Sequence, residues 1–149
     1  MKGNIFVIGL GLIGGSLAMA IRQAHENVYI TGYDVQIKNI QLAKLLGMID
    51  HAVDSIEEGA LEADLIILAV PVDQTEEIVV SLAGMKLKKQ VIVTDAGSTK
   101  STVVDAAKPL IDQGITFIGG HPMAGKESKG FEAASKDIFS DSNYICIFA

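Results

Sequence analysis

The sequence predicts a doubly wound α/β domain with a mostly parallel sheet. Short β-branched and aromatic runs alternate with stretches of helical periodicity, and a glycine-rich turn joins the first run directly to the first helix. Parallel strands require crossover connections, so this alternation predicts helices on both faces of the sheet. A chain of 149 residues, 49% of them hydrophobic, can bury a core without metal or disulfide support. Its single cysteine, Cys146, cannot form an internal bridge.

The first strand, helix and strand are the most regular part of the pattern. Residues 4–8 form a β-branched and aromatic run, which predicts the first strand. Apolar residues then recur at helical spacing, at Ile13, Leu17, Ala20, Ile21 and Ala24. A second strand is predicted over residues 28–33 and a second helix over 36–46, with Gly47 in position for a left-handed helix cap.

The middle of the chain continues the alternation. The third strand is the weakest prediction, because only Ala52 and Val53 are available before the helix predicted over residues 56–61. Residues 64–70 have the pattern of a strand buried on both faces, which Pro71 ends. The next helix is predicted over residues 73–82.

The last part of the pattern predicts two strands around a helix. The strands cover residues 90–94 and 115–118, and the helix covers residues 100–111, where Pro109 ends or kinks it. The chain is less regular afterwards and reaches a strand-like run at residues 143–148. Because the sequence stops directly after that run, we expect further protein to follow.

The glycine turn has the pattern of a dinucleotide-binding site. A lone GxGxxG pattern is weak evidence, but this turn follows a predicted strand and opens a predicted helix. Gly9 permits a tight turn, Gly11 lets the backbone approach a pyrophosphate, and Gly14 lets the helix pack close to the strand. The backbone N–H groups that begin the helix, including those of Leu12 and Ile13, would then face the phosphates.

An acidic residue at the end of the second predicted strand completes this pattern. Asp34 lies about 20 residues beyond Gly14, where it would accept hydrogen bonds from the adenosine ribose and repel a 2′-phosphate. Val35 and Gln36 follow it where an NADP enzyme often has arginine or serine, so we expect NAD despite the nearby Lys38. In the alternative interpretation the glycines serve close packing alone and Asp34 caps the strand end.

The ligand crevice of such a sheet lies at the carboxyl ends of its strands. Val70 and Pro71 lie at the end of the fourth predicted strand, Gly97 and Ser98 follow the fifth, and His121 follows the sixth. We therefore expect Val70, Pro71 and Gly97 to contact the cofactor, and the other two residues to face the substrate.

His121 and Ser98 are the candidates for chemistry. A nicotinamide carries the hydride, so the protein must manage the proton of the oxidised hydroxyl. Histidine titrates near neutral pH, and Pro122 restrains the chain after His121. Ser98 can donate and accept a hydrogen bond, although it also precedes a predicted helix that it could cap. His25 and His51 are interpreted as ordinary surface or core histidines, and no Cys/His cluster has metal-ligand spacing.

Charge and hydropathy exclude other classes of protein. The formal net charge of −6, without any basic run, disfavours nucleic acid as a partner. No apolar run reaches the roughly 18 residues that a membrane span needs, and the start of the chain lacks the pattern of a signal peptide. The expected location is the cytoplasm and the expected partner a small molecule.

Three blocks of sequence together resemble the prephenate dehydrogenases. They are residues 9–17 around the glycine turn, residues 95–100 with the sequence DAGSTK, and residues 119–125 with the sequence GGHPMAG, followed by Glu127 and Gly130. Many NAD enzymes share the first block, whereas the last is far more specific. The resemblance runs along essentially the whole chain and implies a Rossmann-type NAD-binding domain over residues 1–149.

The resemblance implies oxidative decarboxylation of prephenate to 4-hydroxyphenylpyruvate, a step toward tyrosine, with NAD taking the hydride. It also implies that His121 hydrogen-bonds and polarises the ring hydroxyl and that Ser98 lies at the same oxygen. In this family a second, helical domain forms a homodimer and helps to close the substrate site. Prephenate carries two carboxylates and Arg22 is the only arginine, so we expect these residues by themselves to bind NAD but to turn over prephenate poorly.

Three alternatives stay open at this point. Arogenate dehydrogenase, the sister activity, differs at the side-chain end of the substrate. A noncatalytic NAD-binding module, such as a redox sensor, would use the same glycine turn without His121 or Ser98, although residues 119–125 argue against it. Another short-substrate dehydrogenase would be expected to have a lysine or a different motif after the sixth strand.

Overall fold

A computed structural model describes residues 3–25, 27–96 and 105–119 of the chain. Within these residues six strands form one sheet: β1 (Gly3–Ile8), β2 (Val28–Tyr33), β3 (His51–Ala52), β4 (Leu65–Leu68), β5 (Ile92–Asp95) and β6 (Thr116–Gly119). The helices of the same residues are α1 (Leu12–Ala24), α2 (Ile37–Leu45), α3 (Ile56–Leu61), α4 (Val72–Leu82) and α5 (Lys108–Asp112). Neighbouring strands are parallel throughout, which confirms the predicted doubly wound α/β class.

The order of the strands reverses between β1 and β4. The spatial order is β3-β2-β1-β4-β5-β6, so the chain moves outward from β1 to β3 and then crosses back to β4. At such a reversal the connections leave toward opposite faces and open a crevice at the carboxyl ends of the two central strands. The glycine turn after β1 and the loop after β4 are therefore neighbours.

The side chains of β1 alternate between two hydrophobic cores. Ile5 and Val7 pack with residues of α1 and α2 on one face, whereas Phe6 and Ile8 pack with residues of α3, α4 and α5 on the other. These four side chains are at most 2% exposed. Burial on both faces is expected of a parallel strand between helical layers, and it holds the start of the glycine turn firmly in place.

The third strand lies one residue earlier than its predicted position. It consists of His51 and Ala52, which pair with Thr31 and Gly32 of β2, and Val53 lies outside it. Pairing across the sheet decides which residues of so short a segment become a strand, and local pattern does not contain that information. The cap predicted at Gly47 is confirmed by its φ of +73°.

The helix predicted over residues 100–111 takes a different form where the structure describes it. The helix α5 begins at Lys108 and has Pro109 in its first turn, where the missing N–H removes no intrahelical hydrogen bond. The predicted helix is interrupted, but the boundary falls at Ala107, and Pro109 begins a helix instead of ending one. The strand predicted over residues 143–148 lies outside the described residues. None of the helices in the described part of the chain is long and apolar enough to cross a membrane.

An ion pair joins the end of α1 to the loop before β3. Arg22 Nη2 lies 2.8 Å from Asp50 Oδ2, and the same oxygen accepts the N–H of Ile30 at 2.8 Å. Partial burial opposes ionisation of Asp50, but the Ile30 N–H and the Arg22 guanidinium outweigh it and lower the pKa of this carboxyl below its ordinary value.

Replacement of Asp50 by asparagine is expected to reduce the acid sensitivity of the fold. Because the folded-state pKa lies below the unfolded one, the ionised carboxylate stabilises the fold above pH 4 and this contribution is lost as the pH falls further. The Asp50 side chain is 33% exposed, so solvent screens the interaction and we expect a loss of no more than about 1 kcal/mol at pH 7. Urea unfolding at pH 7 measures the loss of stability, and the difference between pH 7 and a pH below 4 measures the acid sensitivity. Asp54→Asn, at an exposed position, is the control. An Asp50→Asn variant with the wild-type pH dependence would contradict this assignment.

Candidate nucleotide-binding site

The first glycine of the turn has a backbone that other residues rarely adopt. Gly9 has a φ of +99°, and its N–H donates to the carbonyl oxygen of Tyr33 at 2.8 Å, which ties the turn to the end of β2. A methyl group at Gly9 would overlap the carbonyl oxygen of Ala69 after β4. The positive φ and the lack of space for a side chain thus both favour glycine at this predicted tight turn.

The third glycine allows close contact between α1 and the turn. A methyl group at Gly14 would overlap the carbonyl oxygen of Gly9 and approach Ala69 Cβ to 3.2 Å. Gly11 differs, because within the described part of the chain no other atom lies within 4 Å of the position its Cβ would take. Packing therefore accounts for Gly9 and Gly14, whereas Gly11 borders open space that a ligand can occupy.

The amino terminus of α1 is suited to an anion. Gly11 is the N-cap residue, and among the described residues no side chain caps this helix end and no acidic residue lies in its first turn. The first N–H groups of a helix, here including those of Leu12 and Ile13, have no intrahelical acceptor and lie at the positive end of the helix dipole. An uncapped helix end beside an open glycine is a fitting place for a pyrophosphate.

Asp34 connects the end of β2 to the glycine turn. Its Oδ2 atom accepts the N–H of Leu10 at 2.7 Å and the side-chain amide of Asn39 at 3.2 Å, and its Oδ1 atom accepts the N–H of Gln36 at 2.8 Å. The alternative interpretation assigned Asp34 a role in capping the end of its strand. The hydrogen bond from the Gln36 N–H to Asp34 Oδ1 is such a cap. The sequence analysis did not foresee the contacts with Leu10 and Asn39, because they depend on how two loops pack.

A cleft of about 550 Å³ brings five of the predicted cofactor residues together, whereas Leu12, Ile13 and Gly14 do not line it. Its lining includes Gly9, Gly11, Asp34, Val70 and Pro71 from the sequence prediction, and Ile56, Ile78, Asn39 and Gln74 that the prediction did not include. The cleft lies at the reversal of strand order between β1 and β4, as the fold class requires. That these residues bind a cofactor stays a prediction.

The two predicted substrate residues and one predicted cofactor residue, Gly97, lie outside the described part of the chain. Gly97, Ser98 and His121 are outside it, but the strands that precede them are described. The strands β5 and β6 are parallel neighbours, with Asp95 paired to Gly119. Ser98 therefore follows the end of one strand by three residues, and His121 follows the end of its neighbour by two.

Three residues that the sequence analysis did not place in the site, Arg22, His25 and His51, do not line the cleft. Arg22 is ten residues after the start of α1, about 15 Å along the helix axis at 1.5 Å per residue, and pairs with Asp50. His25 is the C-cap residue of the same helix, and His51 is an exposed residue of the edge strand β3.

Comparison with known proteins assigns the chain to a family. A family model described as "Prephenate dehydrogenase, nucleotide-binding domain" matches residues 17–147. The chain is 41% identical over 145 residues to prephenate dehydrogenase of Bacillus subtilis, which covers 97% of this chain and 39% of the relative. It is 45% identical over 144 residues to the Lactococcus lactis enzyme, which covers 95% and 40%.

A solved structure has the same fold. The crystal structure of prephenate dehydrogenase from A. aeolicus in complex with hydroxyphenyl propionate and NAD+ matches with a TM-score of 0.79 and 34% identity, covering 92% of this chain and 47% of that one. The chain spans about two fifths of the length of the two curated relatives. It belongs to the prephenate dehydrogenase family, of which it contains the nucleotide-binding domain.

Proposed function

We propose that this chain is the NAD-binding part of a cytoplasmic prephenate dehydrogenase, which converts prephenate to 4-hydroxyphenylpyruvate. The observation that carries the proposal is the cleft between β1 and β4, where an uncapped helix end, an open glycine and a carboxylate occur together. Family membership supports the reaction, and the NAD+ of the A. aeolicus structure supports the choice of cofactor.

The described residues fit the parts of NAD in order along the cleft. The backbone N–H groups of Gly11, Leu12 and Ile13 would hold the pyrophosphate, since the helix end has no other anion in its first turn. Asp34 would accept hydrogen bonds from the ribose hydroxyls, and Val70 with Pro71 would form part of the wall of the cleft. When bound there, NAD supplies the hydride acceptor of the reaction.

We assign proton transfer in this reaction to residues that follow β5 and β6. We propose, from the family resemblance, that His121 accepts the proton of the ring hydroxyl and that Ser98 hydrogen-bonds the same oxygen. Loss of carbon dioxide follows because the ring becomes aromatic, so the protein adds little beyond positioning at that step. The parallel pairing of β5 with β6 supports this assignment, because both chain segments leave the sheet at the cofactor edge.

Asp34 is expected to make the chain select NAD over NADP by about tenfold or more. The carboxylate lines the cleft and would repel a 2′-phosphate, and a tenfold preference corresponds to about 1.4 kcal/mol. Calorimetric titration of the chain with both cofactors measures the preference. Asp34→Asn should reduce it, whereas Lys44→Gln, which removes an exposed charge in the last turn of α2, should retain it. Tighter binding of NADP by the wild type would refute the assignment.

The 149 residues alone are expected to bind NAD but to oxidise prephenate at least about tenfold more slowly than the complete enzyme. Two substrate carboxylates call for cationic partners, and the only arginine, Arg22, is paired with Asp50 away from the cleft. We propose that a helical domain, through which the complete enzyme dimerises, supplies the missing groups.

Production of NADH from prephenate by this chain and by a complete family enzyme tests the expectation. Equal turnover by the two proteins would show that prephenate oxidation needs no groups outside these residues. Turnover with arogenate in the same assay distinguishes the sister activity, and NAD binding without turnover by any form that contains this chain would favour a noncatalytic module.

A further inference from the structure

We propose that Asn39 is a positioning residue, which holds the Asp34 carboxylate in the orientation that selects NAD. The inference rests on the proposed NAD function of the cleft and adds a specificity-determining residue to it. No part of the glycine pattern points to Asn39. Its role follows from its contact with Asp34 and its position on α2.

The carboxylate of Asp34 is held by donors on both oxygens. Leu10 N and Asn39 Nδ2 donate to Oδ2 at 2.7 and 3.2 Å, and Gln36 N donates to Oδ1 at 2.8 Å. A carboxylate offers about four acceptor positions. The three protein donors therefore saturate Oδ2 and leave Oδ1 with the open position, which makes Oδ1 the atom available to a ribose hydroxyl.

Two of these donors belong to the backbone, and the third is a side chain. The backbone N–H groups of Leu10 and Gln36 are present whatever residue occupies those positions. Among the described donors to Asp34, the amide of Asn39 alone comes from a side chain. Since the terminal torsion of an aspartate is soft, loss of this donor leaves Oδ2 with the Leu10 N–H alone and weakens the restraint on the orientation of the carboxylate.

The helix α2 determines where Asn39 lies. Gln36 is the N-cap residue of α2 and accepts the backbone N–H of Asn39 at 3.1 Å, so Asn39 lies in the first turn of the helix. Its side chain is half-buried, lines the cleft and reaches back to Asp34, five residues earlier. The start of α2 is thereby coupled to the carboxylate that distinguishes the two cofactors.

The test is a pair of titrations, with NAD and with NADP, on the full chain and its Asn39→Leu variant. Leucine is close to asparagine in size and has the higher helix propensity, so α2 is expected to form normally. We expect the Kd for NAD to rise about fivefold, the effect of a weakened hydrogen bond between Asp34 and the ribose, while the Kd for NADP stays constant or falls. The ratio of the two Kd values should therefore fall about fivefold. Gln41→Leu, at an exposed position of the same helix, is the matched control and should keep the wild-type ratio.

A double-mutant cycle with Asp34→Asn shows whether Asn39 acts through Asp34. In the Asp34→Asn background, Asn39→Leu should have no further effect on the ratio of the two Kd values. Equal weakening of both cofactors by Asn39→Leu, an unchanged ratio, or the same effect in both backgrounds would overturn the inference.

Failure of the proposed function would have a different signature. The wild type would then bind neither cofactor, or Asp34→Asn would leave the ratio unchanged, and the role of Asn39 would fall with it. If the ratio of the two Kd values changes in Asp34→Asn but not in Asn39→Leu, the role of Asn39 alone is overturned.

Discussion

Replacement of His121 by asparagine in the complete enzyme is expected to lower kcat for prephenate oxidation by about 10²–10⁴ and to leave the Kd for NAD unchanged. Asparagine can hydrogen-bond the substrate hydroxyl but cannot accept its proton. His121 follows β6 by two residues, whereas the cleft that would hold NAD is built from the turns after β1, β2 and β4. The variant should therefore lose proton transfer without losing the cofactor.

Steady-state kinetics with prephenate and calorimetric titration with NAD separate these two effects. His51→Asn is a suitable control, because His51 is an exposed residue of the edge strand β3. Unchanged kcat in His121→Asn would remove His121 from the mechanism. A matching loss of NAD affinity would place it in cofactor binding instead.

A methyl group at Gly14 is expected to destabilise the domain by about 3 kcal/mol, the upper part of the usual range for overpacking, and to abolish NAD binding. The added Cβ would overlap the carbonyl oxygen of Gly9, which is backbone and belongs to a turn fixed by its bond to Tyr33. The helix α1 would have to move away from β1, and its amino terminus would move with it.

Gly11→Ala is the matched control for this effect. Its Cβ would meet no packed atom of the described residues within 4 Å, but its φ of −79° and ψ of −149° lie just outside the regions that alanine favours. We expect its free energy of unfolding to fall by only about 1 kcal/mol, the cost of that backbone strain, while its Kd for NAD rises at least about tenfold. Urea unfolding and NAD titration of both variants measure these quantities. Wild-type stability in Gly14→Ala would contradict the packing argument, and wild-type NAD affinity in Gly11→Ala would contradict a pyrophosphate at that residue.

Much of the candidate site could be predicted because its signals are local. The positions of Gly9, Gly11 and Gly14 relative to a strand and a helix are a matter of a few residues, and Asp34 ends the next strand. The contact from Asn39 to Asp34 was not predicted, because it depends on how the first turn of α2 packs beside the end of β2. An amide in the first turn of a helix that follows a strand-end aspartate is the signal that could have suggested it.

The sequence by itself determined the alternation of strands and helices, the glycine turn and the resemblance to the family, because hydrophobic periodicity and turn residues act within short stretches of chain. The tertiary structure alone decided the order β3-β2-β1-β4-β5-β6, the two residues of β3 and the pairing of Arg22 with Asp50. It also decided that Asp34 supports the glycine turn through Leu10. These features depend on contacts between distant segments, whose energies are set only once the sheet has assembled.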